Sequence, residues 1–434
     1  MFLVKPETDW VKRVLTILPF IVGALVTGLL SVLYAQFFNW AESFAFFWYD
    51  QAHWSLFILT PICFVVAWLL VYTYAPYARG SGIPQVSAAI EISKPTNQHL
   101  VEKLISKQII WIKIASSGLM AMGGGIVGRE GPTIQIAASV FKYINDKLPD
   151  WFPKISKKNM IISGAAAGLA SAFNTPLGGI VFTIEELTKV QFNATKSSLL
   201  LAVIIAGLTA LGLLGPYLYI GTPKLEHFGM TSFWLVILIG IFTSGVSTSF
   251  GLVILKIFKL RKQYFNSSYK QVVWVLICAF IIALSGYIWG KHALCSGKEI
   301  MVSLLFTDAK NVHWYEPLLR ITGSLFSFTT GAAGGIFAPS LSAGASFGAF
   351  FASFFHITSS ETNLLILCGM VSFLTGITKS PFTSSILVYE MTSTHQVVFY
   401  LLLSGALAYI VSYIISRKSF YEEIKSQILT ELEN

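Results

Sequence analysis

Three short segments share an unusual design: Gly80-Ser81-Gly82-Ile83-Pro84, Gly128-Arg129-Glu130-Gly131-Pro132 and Gly335-Ile336-Phe337-Ala338-Pro339. Each breaks an apolar stretch with glycine and restarts it with proline. A helix that begins inside an apolar medium leaves its first N–H groups unpaired and presents the positive end of its dipole. That arrangement holds an anion without any fixed cationic side chain. Proline suits such a start, because the N–H it lacks would have been unpaired anyway. Glycine lets the backbone unwind and come close to the ion. Three such starts in one chain point to a buried anion site. Glu130 stands inside one of them and would project its carboxylate into that site. It reads either as a group that works there or as a first-turn glutamate favourable to the dipole, and an ionisable group this deep in apolar sequence is functional by default. Arg129 beside it reads equally as a positive lure at the mouth or as a structural ion pair.

Other chemistries find little support. HExxH and GxxxxGK[ST] are absent, and Ser296-Gly297-Lys298-Glu299 lacks the glycine spacing of a phosphate loop. The glutamates alone, with neither nucleophile nor metal set, are thin grounds for an intramembrane enzyme. Cys63, Cys278, Cys295 and Cys368 lie far apart, and no two histidines stand four residues apart, so no metal or cofactor is expected.

The elements that must carry these starts are membrane helices. Hydrophobic residues make up 54% of the 434, charged residues only 12%, and mean hydropathy is +0.68; soluble domains carry about 25% charged residues. No Asp, Glu, Lys or Arg occurs between Arg13 and Glu42, Glu226 and Lys256, Lys270 and Lys291, or Glu390 and Arg417. Each block supplies the roughly 20 apolar residues of a spanning helix. Alternation of period two is absent, which excludes barrel strands. The first block runs from Val14 to about Asn39, too long for a signal-peptide core of roughly 7–15 residues, so it is expected to be retained. The net charge of +9 is read as basic flanks at Lys5/Lys12/Arg13, Lys256–Lys262 and Arg417/Lys418 under the positive-inside rule, not as a nucleic-acid surface. Lys154, Lys157 and Lys158 do not sort cleanly by that rule.

An internal repeat is also legible. Gly164–Leu187 aligns without a gap on Gly369–Thr392, matching Pro176 with Pro381, Ile180 with Ser385 and Glu185 with Glu390. Upstream of each lies a Gly-x-x-x-Pro, Gly128–Pro132 in one and Gly335–Pro339 in the other. Shared order of breaks and glutamate argues for a true repeat over chance similarity among Gly- and Ala-rich helices. Interrupted segments at matching places in two halves point to a transporter's midplane site. The expected division of this single domain is a first half over 14–220, a second over 230–416, and a C-terminal helix over 417–434.

With GSGIP, GREGP and GIFAP intact and in this order, the chain resembles the CLC family of chloride channels and chloride/proton exchangers, from about Val14 to about Leu432. The resemblance implies an all-α polytopic membrane protein of two inverted-topology repeats, whose tilted and broken helices meet at a midplane anion site. It also implies a homodimer with one pathway per subunit. By the family pattern, Gly80 and Ser81 bind chloride, Ser81 through its hydroxyl, and Ile336 and Phe337 offer backbone N–H groups. Tyr421 offers a second hydroxyl; without the family it would read as an interfacial anchor. Glu130 becomes a gate that mimics chloride when ionised and withdraws when protonated, and Glu186 becomes the inner proton acceptor of exchangers. Without the family Glu185 and Glu186 read as a solvated pair; as helix neighbours they face about 100° apart and should not share a role. Lys113 matches a basic position that supports the anion field. Gln85 and Ser87 stand where bacterial exchangers often carry acids, while Glu91 remains. Ser81 argues against a nitrate-preferring pattern, and GREGP with Tyr421 against a fluoride-selective one. The expected function is proton-coupled chloride antiport, with a passive chloride channel through the same pore as the alternative. The partners are chloride, protons and lipid. The implied setting is the inner membrane of a bacterium with both termini cytoplasmic. The expectation is that no soluble regulatory domain follows the last helix, as in bacterial members, and hence no nucleotide control by such a domain.

Overall fold

The computed structural model describes residues 9–188, 196–215, 218–226, 228–307, 310 and 312–433; Lys5, part of one expected basic flank, lies outside them. The chain runs through α1 (Asp9–Gln51), α2 (Leu56–Tyr74), α3 (Ile83–Glu91), α4 (Gln98–Leu104), α5 (Lys107–Met122), α6 (Glu130–Asp146), α7 (Lys157–Phe173), α8 (Pro176–Phe182) and α9 (Lys196–Leu214). It continues through α10 (Met230–Tyr264), α11 (Ser268–Trp289), α12 (Lys298–Phe306), α13 (Glu316–Thr329), α14 (Phe337–Ala352), α15 (Ser359–Thr378), α16 (Pro381–Thr392), α17 (Val398–Ile415) and α18 (Phe420–Glu433).

Among the described residues, seven helices are long and apolar enough to cross a membrane: α1, α2, α9, α10, α11, α15 and α17. Several of these, including α1, α2, α11 and α17, turn large apolar side chains outward, as a lipid-facing surface requires. By contrast α6, α7, α14 and α15 are buried almost all round and form the centre. Other helices stop short. Nine-residue α3 and α12 span about 14 Å, half of a hydrocarbon core of about 30 Å. Such half-length helices are too short to cross it.

The order of lengths recurs. A very long helix (α1, α10) is followed by a spanning one (α2, α11), a nine-residue one (α3, α12), and a buried pair after the glycine break (α6–α7, α14–α15). A proline-opened short helix (α8, α16) and a spanning helix (α9, α17) complete each series. Packing recurs too, with α6 on α7 as α14 is on α15, and α7 on α9 as α15 is on α17. At the aligned positions Asn174 and Lys379, both helices end in the left-handed conformation, with φ of 56° and 59°. Pro176 and Pro381 then open the next helix two residues later. Left-handed backbone is uncommon outside glycine, so its recurrence here is a stronger mark of the repeat than the letters are.

Two carboxylates rivet the series together. Glu185 accepts from the Phe382 and Thr383 N–H groups (3.1 and 2.7 Å) at the start of α16. Its counterpart Glu390 accepts from Leu177 and Gly178 (3.1 and 2.7 Å) at the start of α8. Each helix is thus capped by the glutamate that the other series supplies, which satisfies N–H groups that lipid could not.

Candidate anion site

The site begins with backbone pairing between the broken segments. Gly80 N donates to Ala332 O (2.8 Å) and Gly334 N to Gly80 O (3.0 Å). Gly128 and Gly335 exchange both bonds, at 2.8 and 2.7 Å. These bridges tie together the loops before α3, α6 and α14. Gly82 caps α3 at a φ of +96°, where a Cβ would stand 2.6 Å from Gln135 Oε1, so only glycine fits. Gly131, on the first turn of α6, lies so close to Ser81 that a Cβ there would collide with the Ser81 hydroxyl. Pro84, Pro132 and Pro339 all fall within the first turns of their helices. Three helix starts therefore converge, and their first N–H groups have no partner within their own helices.

Within this convergence the Ser81 hydroxyl, 2% exposed, and the Tyr421 hydroxyl at the start of α18, 1% exposed, make no hydrogen bond. They lie near enough to sense one another but outside bonding geometry. Buried hydroxyls seldom remain unpaired, and two facing a common space suit a ligand that accepts from both. Ile336, which precedes α14, and Phe337, its first residue, are fully buried. The Phe337 ring meets those of Tyr421, Phe182 and Phe173 at 6.2, 6.3 and 6.4 Å.

Glu130 opens α6 at 1% exposure. Its carboxylate faces its own N–H and that of Ala338 on α14, while Oε1 accepts from the Tyr219 hydroxyl at 3.0 Å. The acid thus occupies a place that helix starts prepare for an anion. Arg129, 5% exposed, has no carboxylate within ion-pair distance among the described residues, and its Nη1 is unpaired. Of its two readings, the structural ion pair is absent from this geometry.

Glu185 and Glu186 lie in a π-helical turn, Thr183–Thr188, not in the α-helix their spacing suggested. The wider turn sends both toward the start of α16: Glu185 reaches the backbone, and buried Glu186 accepts from Ser380 Oγ at 3.1 Å. Their roles differ, though they share a target. Tyr421 is close enough to both Glu186 and Glu130 to feel their charges.

Two of the expected residues have partners in the scaffold. Gly80, read as an anion ligand, donates its N–H to Ala332 and serves the scaffold. Lys113, read as support for the anion field, is wholly buried and donates to the carbonyls of Ala78 and Gly80, both at 2.8 Å. It fixes the loop that carries Ser81. Gln85 does similar work, donating to Arg79 O at 2.8 Å. Sequence reasoning missed Tyr219, Glu42 and Lys298. Glu42 accepts from Ser296 N at 2.7 Å, and Lys298 lies over the Tyr219 ring at 4.7 Å. None sits in a motif, and only Glu42, an acid ending an apolar block, carried any signal.

A helical membrane fold whose broken helix starts surround unpaired hydroxyls and a buried acid defines a class of anion-handling membrane proteins. The model of the voltage gated chloride channel family matches residues 63–413, and the chain belongs to that family. Among curated relatives, the H(+)/Cl(-) exchange transporter ClcA of Yersinia pestis bv. Antiqua (strain Angola) is 28% identical over 450 residues, covering 98% of this chain and 90% of its own. A solved slow cyanobacterial Cl-/H+ antiporter superposes with a TM-score of 0.83 at 23% identity, covering 97% of this chain and 99% of that one. A CLC-type fluoride/proton antiporter gives 0.78 at 19%, covering 96% and 98%. The CLC-type fold of a multi-pass membrane protein follows.

Proposed function

We propose that this protein is a proton-coupled chloride antiporter in which one carboxylate competes with the transported anion. The observation that carries the reading is the pair of buried acids, Glu130 and Glu186, both within electrostatic reach of Tyr421, whose hydroxyl and that of Ser81 stand unpaired. Chloride accepts from these two hydroxyls and from the first N–H groups of α14 at Ile336 and Phe337. A hydroxyl donates to a halide without adding a competing full charge. Ionised Glu130 holds donors at the same convergence of helix starts, its own N–H, that of Ala338 and the Tyr219 hydroxyl, and when protonated it loosens its hold and gives way to chloride. Glu186 exchanges the proton with the inner solution, held in place by Ser380. Arg129, in no ion pair among the described residues, draws anions to the outer mouth. Gly82, Pro84, Gly128, Gly131, Pro132, Gly335 and Pro339 shape the helix starts.

The two helix series correspond to halves over 14–220 and 230–416, with 417–434 supplying Tyr421. The protein works in the lipid bilayer as a homodimer, in the inner membrane if its source is bacterial, with both termini cytoplasmic. The test is proton movement into chloride-loaded liposomes, driven by an outward chloride gradient with potassium and valinomycin clamping the potential. Inward proton pumping that disappears in Glu130→Ala supports antiport. Chloride efflux without proton uptake makes the protein a passive channel.

A further inference from the structure

The connection between α9 and α10 holds no motif, yet it delivers one side chain to the gate. Ile220 N and Gly221 N both donate to Met391 O, at 3.3 and 3.4 Å, which anchors this connection to the end of α16. Gly221 turns there at a φ of +111°. Tyr219 is thereby buried, 3% exposed, with its hydroxyl 3.0 Å from Glu130 Oε1. Its ring is clasped on two sides. Phe173 meets it edge-on at 5.1 Å and 77°, and Lys298 Nζ lies 4.7 Å from the ring centroid. A phenol fixed this firmly has little freedom to follow another partner.

We propose that Tyr219 is a latch on the gating carboxylate: its hydroxyl donates to ionised Glu130, holds that acid against the helix starts, and sets how much acid or chloride is needed to release it. The inference rests on the reading of Glu130 as the gate. A bond from O–H to a carboxylate is charge-assisted and stronger than the bond the same hydroxyl makes to the neutral acid. The latch therefore favours the ionised, site-filling form over both ways of leaving it, protonation and displacement by chloride. Several other groups face Glu130: Arg129 beside it, Tyr34 and Glu42 from α1, Lys298 from α12 and Tyr421 from α18. Tyr219→Phe leaves all of them in place and keeps the ring that Phe173 and Lys298 hold. Only the donor is lost.

The experiment compares wild type, Tyr219→Phe, Glu130→Ala and the double variant in chloride-loaded liposomes, reading chloride efflux against pH and against external chloride. Loss of one charge-assisted bond corresponds to about a tenfold change, so the pH of half-maximal efflux in Tyr219→Phe should rise by about one unit. Half-saturating chloride should fall several-fold, because its competitor is held less tightly. In the Glu130→Ala background, the added Tyr219→Phe change should do nothing. A pH profile and chloride dependence that superimpose on wild type overturn the latch, as does an equal effect with and without Glu130. A change in maximal rate alone, with the pH midpoint unmoved, assigns Tyr219 to packing and also overturns it. If wild type moves chloride without protons, the antiport reading falls, while the latch is still judged on the pH profile of chloride efflux.

Discussion

Glu185 and Glu186 are neighbours in sequence with different work, and a pair of substitutions separates them. Glu185 accepts from Phe382 N, Thr383 N and the Thr383 hydroxyl, at 3.1, 2.7 and 2.7 Å. Glu185→Ala removes the cap from α16 and leaves two N–H groups of the first turn without a partner. A lost cap costs about 0.5–2 kcal/mol, and hydrogen bonds to a charged group are worth about 1.5–3 kcal/mol each. Because the Phe382 end of this contact is exposed, full loss of both bonds is an upper bound, and about 2–4 kcal/mol is expected. Glu185→Gln keeps one acceptor oxygen and should lose about half of that. Glu186→Gln keeps the bond to Ser380, from which its amide oxygen still accepts, so stability should change by less than about 1 kcal/mol while proton coupling is lost. The assay is unfolding of purified protein in detergent, read beside proton and chloride flux in liposomes. If Glu185→Ala unfolds like wild type, the cap has been given energy it does not supply. If Glu185→Gln uncouples protons as fully as Glu186→Gln does, the division of labour is wrong.

Other consequences can be checked in the same preparations. Ser81→Ala and Tyr421→Phe each remove one unpaired hydroxyl from the site; each should weaken chloride binding by about 0.5–1.5 kcal/mol, a factor of roughly two to ten, measured by calorimetry. Lys113→Met strands the buried Ala78 carbonyl and leaves Gly80 O with only the Gly334 N–H; a loss of about 1–3 kcal/mol in unfolding free energy is expected, with chloride affinity falling as the Ser81 loop loosens. Outside the spanning helices, the Glu316 carboxylate, 3.7 Å from His292 Nδ1 and placed to accept from it, holds the imidazolium's pKa above its ordinary 6.5. That contact stabilises fully below the unfolded value and fades as pH rises through the higher folded one. Melting temperature should therefore decline slightly on passing from acid to neutral pH, and the decline should be smaller in Glu316→Gln.

Much of this protein is written locally. Uncharged blocks determine which segments face lipid, because a charge within hydrocarbon is costly wherever the chain goes next. Even so, the uncharged block marks α1 only as far as Asn39, whereas the helix runs on to Gln51, past Glu42, whose carboxylate accepts from Ser296 N. Glycine and proline set where helices break, since both act through backbone sterics that need no distant partner. Hence the starts at Ile83, Glu130 and Phe337, and the repeat, were legible from letters alone.

What the letters could not decide is which group meets which. Glu185 and Glu390 are ordinary acids in sequence, and they become reciprocal caps only because α8 and α16 pack together. The π-turn that brings Glu186 to Ser380 has no local signature, and the Gly80 N–H goes to a carbonyl more than two hundred residues away. Tyr219 is the plainest case, a residue of an irregular connection that reaches Glu130 because Met391 anchors its neighbours. Hydrogen bonds act over about 3 Å, so their pairing is fixed by packing between elements far apart in the chain. Sequence determined where this protein could hold an anion; tertiary structure decided which side chains guard it.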